Sequence, residues 1–278
     1  MSSISNDFAK NFGPWAVIAG ASEGLGEAFA KEIARKGINV AIIARRKDLL
    51  EKLCKEISND FQVETKAIQI DLASERMFED IKKETEDLEI GLVIYNATLS
   101  PIGLFFNFDL EKHTEVIELN VKGPMIFTHH FGHLMKDRKK GGIVLLSSLA
   151  GLQGDPYHAH YSATRGYTMN LAEALWYEMR KYNVHVIACV AGATKTPNYI
   201  ASKPKRVVLI NPQPMDPVKV AKGCLRSLKK NKPYHLPGFV NKLSSFILRR
   251  LMRRKLAIRF MGNIASKMYG ENRNHVNK

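Results

Sequence analysis

The chain has 278 residues, of which 45% are hydrophobic and 25% are charged, a composition typical of a soluble globular protein with a full core. Its three cysteines are widely spaced and odd in number, which argues against a disulfide framework or a zinc site and indicates a reducing compartment. Residues 1–11 contain no apolar run, so we expect no cleaved signal peptide and a cytoplasmic protein.

The net charge of +15 is unevenly distributed. Residues 1–200 hold 23 Lys and Arg against 25 Asp and Glu, whereas residues 201–278 hold 19 against 2. The basic character is therefore confined to the C-terminal quarter, and it needs an explanation separate from that of the preceding chain.

Short apolar, β-branched runs alternate with helical patterns from residue 15 to about residue 190. The runs predict six strands, at 15–18, 39–44, 63–70, 92–96, 142–146 and 184–190. The patterns predict helices at 25–36, 47–58, 74–86, 110–135 and 157–182. This alternation indicates an α/β fold with a parallel sheet covered on both faces. Because no repeat or low-complexity linker is present, we predict one domain over 13–238, after an N-terminal segment, 1–12, and before a basic helical extension, 239–278.

Two predicted connections, 97–109 and 192–216, are unusually long. Long connections in compact domains are often lids or binding loops. The first, which we call the Phe-rich loop, follows the carboxyl end of a strand, where open α/β sheets bind ligands. It forms either the wall of a substrate pocket or a segment that packs on the body or on a dimer partner. The second contains prolines 197, 204, 212 and 214.

Gly20, Gly24 and Gly26 lie between the first predicted strand and the first predicted helix. Glycine permits a tight turn and lets the backbone approach a pyrophosphate, while the helix N-terminus offers free N–H groups. We call residues 20–26 the glycine turn. Its place in the first βα unit predicts a dinucleotide site rather than a plain strand–helix connection.

The residue after the second strand selects between the two nicotinamide cofactors. An acidic residue there suits the ribose of NAD, whereas an arginine suits the 2′-phosphate of NADP. This chain has Arg45 at that position, so we predict NADP(H), with Arg45 and Ser22 as phosphate ligands. The alternative is that Arg45 is a solvated surface charge.

Tyr161 and Arg165 stand four residues apart, on the same face of a predicted helix. A cation there favours loss of the phenol proton, which lets tyrosine act in acid–base catalysis. Ser148 follows the fifth predicted strand, thirteen residues upstream of Tyr161.

The glycine turn, Ser148 and the Tyr161–Arg165 stretch together resemble the short-chain dehydrogenase/reductase family over about residues 13–236, with Arg165 where the family has Lys. The resemblance implies a Rossmann-type doubly wound parallel sheet. It also implies that the cofactor contacts Gly20, Ser22, Glu23, Gly24, Leu25, Gly26, Arg45, Asp71, Leu72, Asn96, Ala97, Tyr161, Arg165, Gly192, Thr194 and Thr196.

The catalytic set implied by the resemblance is Asn120, Ser148, Tyr161 and Arg165. Tyr161 would exchange a proton with the substrate oxygen, Ser148 would hydrogen-bond that oxygen, and the Asn120 segment would hold a water. Arginine keeps the charge of lysine but is longer, planar and harder to deprotonate. Because Asn120, Ser148 and Tyr161 are retained, we predict an active oxidoreductase; Arg165 motivates the alternative, a catalytically impaired dinucleotide-binding regulatory or scaffold protein.

Histidines near these motifs leave two interpretations open. His129 and His133 share a helical face, but no Cys or acidic cluster joins them, so we expect no metal site. His158 and His160 either line the substrate mouth or belong to an ordinary surface turn.

In the basic extension, apolar residues recur at helical spacing and alternate with arginines. It contains no run of about 18 uncharged apolar residues, which excludes a membrane-spanning helix. It either contacts an anionic membrane peripherally or docks on the body or a dimer partner, and we expect no nucleic acid partner.

Within the family, Gly13-Pro14-Trp15, Ala44-Arg45 and the basic extension resemble the branch of 17β-hydroxysteroid dehydrogenases and very-long-chain 3-oxoacyl-CoA reductases. This resemblance implies an apolar carbonyl or alcohol substrate, lipid or steroid-like. We also expect a homo-oligomer.

Overall fold

The computed structural model describes residues 3–202 and 213–269, with side chains from residue 7 onward. Seven parallel strands form one sheet in the order β3-β2-β1-β4-β5-β6-β7. Their bounds are β1 Trp15–Ala19, β2 Asn39–Ala44, β3 Thr65–Gln69, β4 Ile90–Tyr95, β5 Gly141–Ser148, β6 Val184–Ala191 and β7 Tyr234–His235. The predicted α/β fold with a doubly wound parallel sheet is confirmed.

The six predicted strands are all present, and the seventh was missed. Tyr234–His235 is only two residues long, so it carries no periodic signal of its own. It pairs with β6 through Ala188 and Cys189.

Eleven α-helices lie in the described residues. Their bounds are α1 Ser3–Phe12, α2 Gly24–Ala34, α3 Lys47–Phe61, α4 Met77–Thr85, α5 Leu110–Ile117, α6 Gly123–Asp137, α7 Ala159–Met179, α8 Pro197–Ala201, α9 Pro217–Lys229, α10 Phe239–Phe246 and α11 Arg254–Tyr269. Pro204 and Pro212 of the predicted second loop lie outside the described residues.

The helix predicted at 110–135 is interrupted by a π-helical turn, Glu118–Lys122. The turn carries the buried Asn120 and is followed by Pro124 in the first turn of α6. Single π-turns inside helices occur often at functional sites, because they rotate one side chain out of the helical register.

Two apolar cores cover the two faces of the sheet. Alternate residues of β1 face opposite sides, with Ile18 in one core and Val17 in the other. The first core packs against α1, α2, α3 and α9, and the second packs against α4, α6 and α7. Phe8 and Phe12 of the N-terminal segment are buried in the first core. Continuous burial of strands on both faces is what the unbroken apolar runs predicted.

The basic extension forms α10, a π-helical turn Ile247–Leu251, and α11. Its inner face docks on the body through Asn241, Ala257, Ile264 and Ala265, which are buried. Its outer face leaves eight large apolar side chains exposed: Phe239, Val240, Leu243, Phe246, Ile247, Leu251, Leu256 and Phe260. The extension is therefore docked and still presents an apolar surface.

Candidate active site

The predicted site residues gather at the edge of the sheet where the parallel strands end. From β1 the chain builds the sheet outward through β2 and β3, and it then returns to β4 on the other side of β1. Ligands of open α/β sheets bind in the crevice at such a switch point. Gly20 follows β1, Asn96 follows β4, Ser148 ends β5 and Gly192 follows β6.

The glycine turn has a shape that only glycine permits. Gly20 and Gly24 have φ of +77° and +67°, which is the left-handed region. A Cβ on Gly20 would lie 2.6 Å from Cα of Ala97. A Cβ on Gly26 would collide with the carbonyl oxygen of Gly20. The turn is therefore a tight backbone segment at the N-terminus of α2, packed closely against Ala97.

Asn96 holds this turn in place. Its Nδ2 donates to the carbonyl oxygen of Gly20 at 2.7 Å, and its backbone N–H donates to Ala19 at 2.9 Å. The side-chain amide is thus used within the protein. The contacts of Asn96 and Ala97 with the cofactor stay a prediction.

The segment that follows β6 carries the predicted cofactor residues Gly192, Thr194 and Thr196, and we call residues 192–196 the 192–196 turn. It approaches the glycine turn from the β6 side. A Cβ on Gly24 would lie 3.1 Å from Cβ of Thr196. The Thr196 hydroxyl caps α8 by accepting from the Tyr199 N–H at 3.3 Å, and Thr194 Oγ1 donates to the carbonyl of Gly192 at 3.0 Å. The two turns therefore face each other across the switch point.

The arginine that contacts Ser22 is Arg46, which the sequence analysis did not assign. Its Nη2 donates to Ser22 Oγ at 3.0 Å and lies 2.9 Å from a carboxylate oxygen of Glu23. Arg45 is exposed, and Asp71 next to β3 is exposed as well, while Leu72 is buried. Arg46 stands at the N-cap of α3, so its place beside the turn follows from the helix start and not from a motif.

Tyr161 and Arg165 lie together, as their spacing predicted. The guanidinium carbon of Arg165 lies 5.0 Å from the centroid of the Tyr161 ring, within the range of a cation–π contact. Arg165 is 3% exposed and donates through Nη1 to the carbonyl of Leu146 in β5. Its Nε and Nη2 are buried and have no hydrogen-bond partner.

Ser148 and Tyr161 are brought to the same end of the sheet by the packing of α7 on β5 and on the turn Leu149–Leu152. Ser148 Oγ accepts from the backbone N–H of Ala150 at 3.2 Å, which leaves its proton available to another acceptor. Tyr161 is half-buried.

Asn120 is buried and fully bonded to protein. It accepts from the Leu99 N–H at 2.9 Å and Thr98 Oγ1 at 3.2 Å, and it donates to Leu99 O at 2.8 Å and Thr164 Oγ1 at 3.2 Å. These bonds join the start of the Phe-rich loop to α7. The observed side chain is thus a structural link between two walls of the site.

Tyr95 is a site residue that the sequence analysis did not identify. It is buried at the end of β4, and its hydroxyl donates to the carbonyl of Leu119 in the π-turn at 2.7 Å. Burial raises the pKa of Tyr95 well above its ordinary value, and the charge of Arg165 opposes that rise. Tyr95 therefore stays neutral and fixes the π-turn beside Arg165.

The residues present fit a nicotinamide dinucleotide. Gly20 and Gly24 of the glycine turn are partly exposed and have left-handed backbone conformations, at a helix N-terminus that attracts phosphate. The unpaired donors of Arg165 lie in the same region, and a buried donor without an acceptor is costly. No group of three or more His, Cys, Asp or Glu side chains in the described ranges could hold a metal ion.

Comparisons with known proteins identify the family. The family model of short chain dehydrogenases matches residues 14–206. A 7beta-hydroxysteroid dehydrogenase from Clostridium sardiniense is 32% identical over 198 residues, which cover 71% of this chain and 76% of that protein. A very-long-chain 3-oxoacyl-CoA reductase from Neurospora crassa is 30% identical over 228 residues, which cover 80% and 67%.

Two further similarities bear on activity. A solved structure from work on 7beta-hydroxysteroid dehydrogenase stereoselectivity matches with a TM-score of 0.85 at 28% identity, covering 92% of this chain and 99% of that one. A Homo sapiens protein named inactive hydroxysteroid dehydrogenase-like protein 1 is 29% identical over 204 residues, which cover 70% and 58%. The chain belongs to the short-chain dehydrogenase/reductase family, in the branch of hydroxysteroid dehydrogenases and 3-oxoacyl-CoA reductases.

The Phe-rich loop and the basic extension both reach the N-terminal end of α7. In the loop, Phe106 is 93% exposed and Leu104 is 54% exposed, so the loop is not packed wholly on the body. On the other side, the ring of Tyr269 in α11 lies 5.3 Å from that of His158. Across the part of the chain that the structure describes, no helix is long and apolar enough to span a membrane.

Proposed function

We propose that this protein is an NADP(H)-dependent oxidoreductase that interconverts a ketone and a secondary alcohol on an apolar, lipid or steroid-like substrate. The observation that carries the proposal is the half-buried Tyr161 against the guanidinium of Arg165, at the strand end that also carries Ser148. The apolar side chains of the Phe-rich loop and the relatives named for hydroxysteroids support the substrate class.

In this proposal the protein supplies position and proton transfer. A bound nicotinamide dinucleotide supplies or accepts the hydride. Tyr161 donates its proton to the carbonyl oxygen during reduction and removes it from the alcohol during oxidation. Ser148 donates a hydrogen bond to the same oxygen. The charge of Arg165 stabilises the phenolate that forms when Tyr161 gives up its proton.

The glycine turn and the 192–196 turn would hold the pyrophosphate, and the unpaired Nε and Nη2 of Arg165 would meet the ribose on the nicotinamide side. Ser22, Arg45 and Arg46 would hold the 2′-phosphate of NADP(H), because the Arg46 guanidinium contacts Ser22 and Arg45 directly follows β2.

The test is oxidation of NADPH in the presence of a panel of steroid, 3-oxoacyl and aromatic ketones. We expect turnover with at least one apolar ketone, and the matched variant Tyr161→Phe should lose it by a factor of about 100 or more. Equal rates in the two proteins would contradict the proposed role of Tyr161.

A second candidate function is a catalytically impaired dinucleotide-binding protein with a regulatory or scaffold role. The observation that favours it is the bond from Arg165 Nη1 to Leu146, which holds the guanidinium against β5. Arg165→Lys separates the two candidates. A gain of about 100-fold or more in turnover would identify an impaired natural site, because displacements of about 1 Å cost rates of that order.

We also propose that the outer face of the basic extension contacts an anionic membrane, where a lipid substrate is available. Residues 239–269 contain eight Lys and Arg and no acidic residue, beside the exposed apolar side chains. Vesicles with anionic lipid should sediment the protein, and each cation removed near the surface weakens attraction by about 1 kcal/mol.

The test variant and its control both replace exposed basic side chains with acidic ones. Arg249→Glu/Arg250→Glu/Arg253→Glu should abolish sedimentation, while Lys52→Glu/Lys55→Glu on α3 should not. Equal sedimentation of both variants would assign the extension to internal packing or subunit contact.

We further propose that the protein is a homo-oligomer. Leu110, Ile117 and Met125 on α5 and α6, and Tyr177 on α7, are exposed apolar residues outside the catalytic edge. Light scattering should give a multiple of the 31.3 kDa chain mass, and a monomer at all concentrations would contradict this.

A further inference from the structure

A pair of histidines joins the Phe-rich loop to the two helices beside it. His113 of α5 and His160 of α7 approach through their Nδ1 atoms at 2.8 Å, with ring centroids 4.9 Å apart. Phe105 of the loop stacks on His113 with a centroid distance of 4.2 Å and an interplanar angle of 23°. His160 directly precedes Tyr161 in the chain.

The hydrogen-bond partners determine where the protons lie. The Nε2 atom of His113 is 3.1 Å from the carbonyl oxygen of Phe105, and a carbonyl only accepts. His113 therefore carries its proton on Nε2, and its Nδ1 is an acceptor. It follows that His160 donates through Nδ1 to His113.

We propose that the His113–His160 pair is a positioning device that fastens the Phe-rich loop beside Tyr161 and so fixes the wall against which an apolar substrate packs. This inference deepens the proposed function and rests on it for the identity of the substrate wall. Another tie near the pair runs from the Gly103 N–H to the carbonyl of Tyr157 at 2.8 Å. Breaking the pair therefore loosens the aromatic half of the loop, which holds Phe105, Phe106 and Phe108.

The pair tolerates one added proton but not two. A proton on Nε2 of His160 leaves its Nδ1–H free to donate, whereas a proton on Nδ1 of His113 sets two N–H groups face to face. Burial and the neighbouring His113 both lower the pKa of His160. The neutral pair is thus bonded, a protonated His160 still donates through Nδ1, and acid breaks the bond only by placing a proton on Nδ1 of His113.

Charged groups lie on the same two elements as the pair. On α5 these are Lys112 and Glu115, which form an ion pair at 2.7 Å, with Asp109 at the helix start. On the α7 side they are Asp155 and His158, 3.5 Å apart, and Arg165 further along the helix. Burial raises the pKa of Asp155 to about 6, so this carboxyl loses charge in the same acidic range and does not hold the imidazoles protonated.

The first test needs no substrate, so its failure is distinguishable from failure of the proposed activity. In His113→Phe and in His160→Phe, backbone amides of the Phe-rich loop should exchange with deuterium about tenfold faster at about pH 7, because the loop opens locally. His133→Phe, on the exposed face of α6, is the matched control and should not change them. Unchanged exchange in both test variants would overturn the proposal.

The second test keeps the histidines intact. Phe106 is 93% exposed at the tip of the loop, so Phe106→Trp places a fluorophore there without filling the core. Its emission, corrected for Trp15 and Trp176, should change only as pH falls below about 6.5, where the imidazoles gain protons, and the change should vanish when His113→Phe is added. A change that persists in the double variant, or none in either protein, would overturn the proposal.

Where a ketone substrate is turned over, KM provides a third readout. His113→Phe should raise KM for a bulky ketone about tenfold and leave kcat within about twofold, since the wall binds substrate and does not transfer protons. Loss of kcat at constant KM would contradict a positioning role.

Discussion

The proposed dinucleotide side and the proposed catalytic side of this site are built from different chemical groups. The dinucleotide side is mainly backbone: the glycine turn, the helix that follows it, and Asn96 bonded to Gly20. The catalytic side is made of side chains on separate elements, with Ser148 on β5, Tyr161 and Arg165 on α7, and Asn120 in a π-turn.

This difference predicts how each part of the site responds to substitution. A backbone cradle tolerates no Cβ, so its sequence is legible as glycines at fixed spacing. Side chains can be exchanged when charge and rough position are kept, and Arg165 in place of Lys is such an exchange. Substitutions in the glycine turn should therefore remove nearly all cofactor binding. Substitutions of the side chains on the other side should reduce activity by smaller, graded amounts.

The largest effect is expected at the cradle. Gly26→Val places a branched side chain against the carbonyl of Gly20 and should weaken NADPH binding by about 100-fold or more, measured by calorimetry. Gly154→Ala is the control, since a Cβ there meets nothing within 4 Å. Retained binding in a folded Gly26→Val protein would show that the dinucleotide lies elsewhere.

A moderate effect is expected beside the glycine turn, where the proposed cofactor contacts are made by side chains. Arg45→Asp and Arg46→Asp should each weaken NADPH binding about tenfold or more and leave NADH within about twofold, because only NADP(H) has the 2′-phosphate. Lys52→Asp serves as the charge-matched control. Equal losses for the two cofactors would reject the phosphate role of these arginines.

The smallest effect concerns Asp155, between β5 and α7 on the catalytic side. Burial raises its pKa to about 6 from 3.8, so the folded state binds the proton more tightly than the unfolded state. Stability is therefore highest below about pH 4 for this group and falls as pH rises to about 6. Since one pKa unit corresponds to about 1.4 kcal/mol and Asp155 is not fully shielded from solvent, we expect Asp155→Asn to stabilise the protein by about 1 kcal/mol at neutral pH.

Thermal unfolding of the wild type and Asp155→Asn between about pH 4 and pH 7 measures this difference. The two curves should separate as pH rises, and parallel curves would mean that Asp155 is not perturbed. Glu111→Gln, on an exposed position of α5, controls for loss of a charge.

The sequence predicted the fold well because buried parallel strands have a continuous apolar signal, as in Val40–Ile43 of β2. It missed β7, whose two residues carry no period, and α9, which follows the second long loop. The sequence of the N-terminal segment did not predict that Phe8 and Phe12 would be buried in the first core. Such burial depends on the surface that the segment packs against, which the local sequence does not specify.

For the site, the sequence placed Tyr161 and Arg165 together because helical spacing alone fixes their relation. It did not assign Arg46 to Ser22 and Glu23, nor the bonds of Asn120 to Leu99 and Thr164, since those contacts join distant elements. The role of each predicted site residue in cofactor or substrate binding stays a prediction.

The most direct measurement of the central proposal is transfer of label from deuterated NADPH to an apolar ketone. One deuterium should appear on the carbinol carbon of the product alcohol, with one stereochemistry, in the wild type and not in Tyr161→Phe under the same conditions. No labelled alcohol from any ketone in the panel, or equal labelling by both proteins, would contradict a reductase that uses Tyr161 as its proton donor.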